Sequence, residues 1–237
     1  MTKLLITEIT YMGPAFCVIG LVREGPTIYS LRPVPPRGNG WVSFPFHRGD
    51  ILECRLTKLP CSRPHTEDHV STRGWKKVGD VPQPEVVKYL RRAEVGDSLG
   101  DLFSCVVKEN QKGSGMYAKP GAGMRSICGC ATVNLVLENV GAELRATLAL
   151  QSGETLRDLP VVDRDWNDFV EAATDVRRGA NRYQRLAKFL GGQFQKKVVD
   201  CPYHFVRLGL TRPFKRRCWL MLDTLFPLPQ MAWLQEF

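Results

Sequence analysis

The sequence predicts a mainly β chain with helical insertions, folded as two β-rich halves in tandem. Three observations predict it. Short β-branched or aliphatic runs of strand length recur along the chain, and Pro/Gly-rich turns separate them. The pattern also stops at a Gly/Lys-rich stretch and then restarts, which divides the chain into two halves.

In the first half the strands are "KLLITEIT" (3–10), "AFCVIGLV" (15–22), "TIYSLRPV" (27–34) and "ILECRLTKL" (51–59). Met12-Gly13-Pro14, Glu24-Gly25-Pro26 and "PVPPRGNGW" supply the turns, and the spacing suits a small meandering barrel. A helix is expected over 82–93, where Pro84 and Glu85 make a first turn and Val86, Val87, Tyr89 and Leu90 an apolar side. "LFSCVVKEN" (102–110) is a candidate fifth strand, so the first domain is expected over 1–110 and the linker over 111–125. The second domain, 126–237, opens with strands at 126–138, 142–150 and 154–162. A helical insertion at 163–197 follows, with Asp163 as a candidate cap of its first helix and Asn181 of its second. Strands "YHFVRLGLT" (203–211) and "RCWLMLDTLF" (217–226) close the half.

Composition bounds the function. Apolar residues make up 43% and charged residues 24% of the 237, an ordinary globular balance. The longest apolar runs are strand-length, too short to cross a bilayer as helices, and the N-terminus lacks a cleavable leader pattern. The expected location is therefore the cytoplasm, and the eight cysteines are expected to be free thiols without a disulfide framework. The net charge of +9 is segregated: residues 182–217 hold ten Lys/Arg against the single acid Asp200, while 141–175 hold eight acids against three arginines. A concentrated cationic segment points to a polyanionic partner, nucleic acid before membrane. No P-loop, kinase, hydrolase-elbow or zinc-protease motif is present.

"LRPV", "RGDILE", "RPHTED" and "RLGLTRPF…CWLMLDTLFPLP", in this order, resemble the prokaryotic dual OB-domain family, in which two OB folds are fused in one chain of about this length. The resemblance spans nearly the whole chain, with "PHTED" and "GLTRP" its distinctive pieces; it departs at His69, where the family favours an aromatic. It implies two OB-like small β-barrels in tandem and a nucleic-acid-binding or sensing module, often found in conflict or antiviral defence loci beside separate effector enzymes. It assigns no role to the motif residues His65, Glu67, Asp68 and Thr211, and it implies no catalytic mechanism.

OB barrels hold single strands by a cationic groove and by stacking bases on aromatics. Alternation in the last two strands sets Val206, Leu208, Leu210, Cys218, Leu220 and Leu222 on one face. The opposite face carries Tyr203, Phe205, Arg207, Arg217, Trp219 and Met221. Paired as a hairpin, the strands present Tyr203, Phe205 and Trp219 for bases. Arg207, Arg212, Lys215, Arg216 and Arg217, with Lys196 and Lys197 from the preceding segment, are the candidates for phosphate. The competing reading buries these aromatics between the two barrels and pairs the arginines with the acidic 141–175 segment. The arginines of the 181–193 helix (182 and 185), with Lys188, form either a solvated face or a phosphate contact.

"CSRPHTEDH" (61–69) admits three readings. It is a helix start, with Ser62 as cap, Pro64 in the first turn and Glu67-Asp68 at the positive end of the dipole. It is a zinc site of Cys61, His65 and His69, with Cys54 as a fourth ligand and the two histidines on one helical face. Or it is an acid/base centre using Glu67 or Asp68 with a histidine. The structural reading needs least. The expectation is therefore a non-catalytic module with no cofactor, zinc standing as the one candidate, whose partner is DNA or RNA. The alternatives are a protein adaptor or subunit of a larger complex, and a metal-dependent hydrolase or nuclease centred on 61–69.

Overall fold

The computed structural model describes residues 1–37, 40–60, 65–72, 74–93, 96, 98–111, 113–121, 124–140, 143–174, 198, 200, 201 and 203–228. The chain is mainly β, with two curled sheets of seven strands each.

In the first sheet β1 (Thr2–Met12) pairs antiparallel with both β2 (Ala15–Glu24) and β4 (Asp50–Cys54). β2 pairs with β3 (Thr27–Val34), which runs parallel to β6 (Asp68–Ser71). β6 in turn pairs with β5 (Leu56–Lys58), and only Arg55 separates β5 from β4, so the row of strands curls back on itself. β7 (Lys76–Asp80) extends the edge beyond β4. The expected strand 51–59 is thus two strands bent at Arg55. The interior is Leu4, Ile6, Ile9, Val18, Val22, Leu31 and Leu52, joined by a cluster of Trp41, Phe44, Phe46 and Trp75 in which Trp75 meets Trp41 and Phe44 edge-on and stacks on Phe46.

A bulge between Ile6 and Glu8 breaks the two-residue alternation of β1. It keeps Ile6 and Ile9 inward and turns Glu8 to the other side of the sheet, where it is buried all the same. Gly20 faces this bulge: a Cβ there would stand 2.5 Å from the Leu5 carbonyl oxygen, closer than any side chain tolerates.

The second sheet repeats the pairing order. β10 (Ile127–Val140) pairs with both β11 (Glu143–Leu150) and β13 (Tyr203–Leu210), β11 pairs with β12 (Thr155–Pro160), and β13 pairs with β14 (Cys218–Leu228). Val161, just past β12, makes a parallel bridge to Leu222 of β14, as β3 does to β6. The expected hairpin of the last two strands is present, and its aliphatic face joins the core of this half.

Between the halves lie α1 (Gln83–Ala93), where the helix was expected, and α2 (Leu99–Phe103), capped by Ser98. Two expectations are corrected here. Residues 102–110 are no fifth strand of the first sheet: α2 takes their start, and β8 (Val107–Glu109) joins the second sheet. The expected linker contains β9 (Met116–Ala118), paired with β8 and β14, with Met116 and Ala118 buried. A short apolar pair in a Gly-rich stretch gave no periodic signal. α3 (Arg164–Thr174) follows β12. The expected cap holds: the Asp163 carboxylate accepts from the Asp165 and Trp166 backbone N–H groups at 2.9 and 3.3 Å. The second expected helix, at 181–193, lies outside the described residues.

The halves meet over an apolar layer in which Val86, Val87 and Leu90 of α1 and Leu21 of β2 pack on Phe205, Phe226 and Leu228. Among the described residues the cysteines carry free thiols, and no helix is long and apolar enough to cross a membrane.

Candidate nucleic-acid interface

The structure divides the expected binding face in two. Tyr203 and Phe205 pack into the layer between the halves, and Arg207 is completely buried there. The expectation that Phe205 and Arg207 face solvent is corrected, and Tyr203 is partly buried. Strand alternation put them opposite the core of their own sheet, but a second sheet covers that side. Arg207 donates through Nε to Glu8 at 2.7 Å and through Nη2 to the Ser30 hydroxyl at 2.7 Å, and both of these acceptors belong to the first half.

The outer end of the hairpin remains exposed. Phe214 and Arg217 exchange backbone hydrogen bonds of 2.8 and 3.1 Å around a two-residue turn, Lys215-Arg216. Both turn residues adopt positive φ, 49° and 62°. Such turns favour Asn-Gly, because left-handed backbone strains longer side chains. Here two cations occupy it, with Lys215 5.3 Å over the exposed Phe214 ring. Neither has a carboxylate at ion-pair distance among the described residues.

Arg217 lies over two rings at once, 4.2 Å from the Tyr117 centroid and 5.5 Å from that of Trp219. The rings are 5.7 Å apart on neighbouring strands, β9 and β14, and the exposed Lys108 stands opposite Tyr117 on β8. Thr211 locks Trp219 in place: its hydroxyl accepts from the Trp219 N–H at 2.8 Å, and its own N–H donates to the Trp219 carbonyl at 2.9 Å. The result is a half-exposed aromatic pair under a guanidinium, beside a cationic tip. Tyr117 and Phe214 were not singled out from sequence, since each sits in a run read as loop. Lys196 and Lys197 lie outside the described residues.

The motif residues meet elsewhere, on the seam between the halves. The helix-start reading of 61–69 is corrected. His65 has φ 77° and leads a turn, and Asp68 and His69 begin strand β6, so the two histidines do not share a helical face. Its Cys61 lies outside the described residues, among which no cluster of three or more His, Cys, Asp or Glu could hold a metal. Glu67 accepts from the Ser126 N–H at 2.8 Å, the Ile127 N–H at 3.2 Å and the Ser126 hydroxyl at 3.0 Å, stitching the first half to the start of β10. Asp68 holds Arg32 at 2.6 Å and Arg212 at 2.9 Å. With both carboxylates occupied in this way, the geometry offers no free acid/base pair. Cys128 and Cys130 lie in the core of the second half.

His65 is pushed down to about 2 by burial and by the Arg32 and Arg212 charges, against a backbone contact with Thr211 that raises it. The folded chain therefore binds this proton far less readily than the unfolded chain, whose histidine titrates near 6.5. Stability from the neutral imidazole is complete above that pH and drains away as pH falls towards about 2, at up to about 1.4 kcal/mol per pH unit. Urea unfolding at pH 7 and pH 5 should show the loss. His65→Asn, which tolerates the positive φ, should reduce the slope, and an unchanged slope would assign the effect to other groups such as His204, also lowered by burial.

Comparison of the chain with protein-family models, with curated proteins and with solved structures found no match.

Proposed function

We propose that the protein is a non-catalytic, single-strand-preferring and sequence-tolerant nucleic-acid-binding module built of two OB-like barrels. The observation that carries this reading is the solvent-facing set of Arg217, Tyr117 and Trp219 beside the Lys215-Arg216 turn. Base–aromatic stacking contributes about 1–3 kcal/mol per base and accepts any sequence. Strain held at two exposed cations is what a contact site, rather than a connecting turn, would select. The shared pairing order supports the OB reading. In each half a long strand is flanked by two antiparallel partners, β1 by β2 and β4 and β10 by β11 and β13, and a parallel contact follows, β3 with β6 and Val161 with Leu222. Among the described residues no acid of 141–175 forms an ion pair with the tip: Asp163 and Asp165 pair with Arg48, and Glu143 and Asp158 with Arg145.

Fluorescence anisotropy with labelled single-stranded DNA, single-stranded RNA and duplex across a salt series tests it. Trp219→Ala should weaken single strands about 5- to 100-fold and duplex less; equal weakening of both, or none, would remove stacking. Reversing Arg216 and Arg217 to Glu should lower the salt slope by about 0.7 per lost phosphate contact.

A second reading, a protein adaptor, has one observation in its favour. The exposed Phe169 and half-buried Trp166 line an open cleft of about 260 Å³ with Arg48 and Asp165. No nucleic-acid binding at low salt would move this reading ahead.

A further inference from the structure

The seam between the sheets encloses a cavity of about 80 Å³, several times the roughly 10–15 Å³ that one water needs on the same measure. Met12 of the first half and Met221 of the second line it, soft side chains that adapt to a flat occupant. Asp223 lines it too, only 3% exposed, and its Oδ1 has no hydrogen-bond partner among the described residues. The carboxyl lies across Gly209, where any Cβ would collide with it. A buried polar oxygen left without a partner by the protein is uncommon and asks what satisfies it.

Burial and Glu8 push the Asp223 carboxyl well above its ordinary range, opposed by Arg207 and Arg32 and reinforced by Asp163. When protonated, such a carboxyl offers one O–H donor beside one acceptor. That pair matches the donor–acceptor edge of an amide-like heterocycle. At the cavity's rim, the Arg212 side chain remains 25% exposed although it is paired with Asp68. Trp219 stands two residues before Met221 on the same face of β14, so the exposed platform leads to the opening.

We propose that this cavity takes one pyrimidine base of a bound strand, its hydrogen-bonding edge on the Asp223 carboxyl and its phosphate beside Arg212. This rests on the nucleic-acid reading above and adds to its sequence-tolerant platform a pyrimidine preference at a single nucleotide. The small volume selects a six-membered ring over a purine.

The test is anisotropy at one low salt with three labelled decamers: deoxycytidine, deoxyadenosine, and an abasic deoxyribose-phosphate chain. The wild type is compared with Asp223→Leu, which removes the carboxyl, and with Met221→Trp, which fills the cavity and keeps it. Thermal melting checks that each variant is folded. Both variants should weaken the deoxycytidine decamer at least about five-fold and leave the abasic chain unchanged. Three results would overturn the proposal while leaving nucleic-acid binding intact. They are wild-type affinity in both variants with Trp219→Ala still weakened, equal losses on the abasic chain, or the same Asp223 dependence with deoxyadenosine. No binding of any decamer by the wild type would overturn both.

Discussion

Arg207→Leu should destabilise the folded chain by about 3–5 kcal/mol, because it leaves Glu8 charged, buried and without its partner. Neither side chain exposes any surface, and the second Glu8 oxygen accepts from the Thr7 hydroxyl at 2.9 Å, so no route to water remains. Glu8→Leu should cost a similar amount for the reciprocal reason. The double variant should recover most of the loss, since a buried ion pair replaced by apolar groups of similar volume is often neutral. Urea unfolding at pH 7 measures all three. Additive losses would show that the two charges are not coupled. Because the pair joins the two sheets, the wild type should unfold in a single transition; two separate transitions in either single variant would show that this contact makes the halves cooperative.

Asp163→Ala should cost a comparable amount, about 3–5 kcal/mol. Asp163 caps α3, holds Arg48 Nη2 at 2.7 Å and accepts from the Thr224 hydroxyl. Burial outweighs these partners and raises its carboxyl above the ordinary value, so the pair contributes less than its geometry suggests. The expected loss comes instead from what remains: a buried Arg48, held 4.9 Å over Phe226 with only the exposed Asp165 opposite it, and helix N–H groups without an acceptor. Asp163→Asn should lose less, since the amide oxygen still caps the helix. Equal losses for Ala and Asn in the same urea experiment would assign the whole effect to the charge.

Residues with strong local signals were legible from sequence. Alternation located the long strands of both sheets, and Pro84-Glu85 and Asp163 marked helix starts. The hairpin of the last two strands and the orientation of Val206, Leu208 and Leu210 followed from a period of two. The platform was half legible: Trp219, Arg217 and the turn cations stood in a periodic run, whereas Tyr117 lay in a three-residue strand too short to have a period. The run 61–69 misled for a local reason. Its Pro, Glu and Asp are all good first-turn residues, yet parallel pairing of Asp68–Val70 with Arg32–Val34 makes the end of the run the start of a strand. Propensity yields to such long-range pairing.

By itself, the sequence determined that this is a mainly β chain in two halves, with its positive charge gathered late. Only the tertiary structure decided what that charge does. Arg207 and Arg217 sit on the same side of one hairpin by alternation. One is covered by the other sheet and neutralised by Glu8, while the other stands at the exposed end over Tyr117 and Trp219. A two-residue period reports which face of its own sheet a side chain occupies. It carries no information about what packs on the far side, because that depends on contacts between residues some 200 positions apart, such as Glu8 and Arg207.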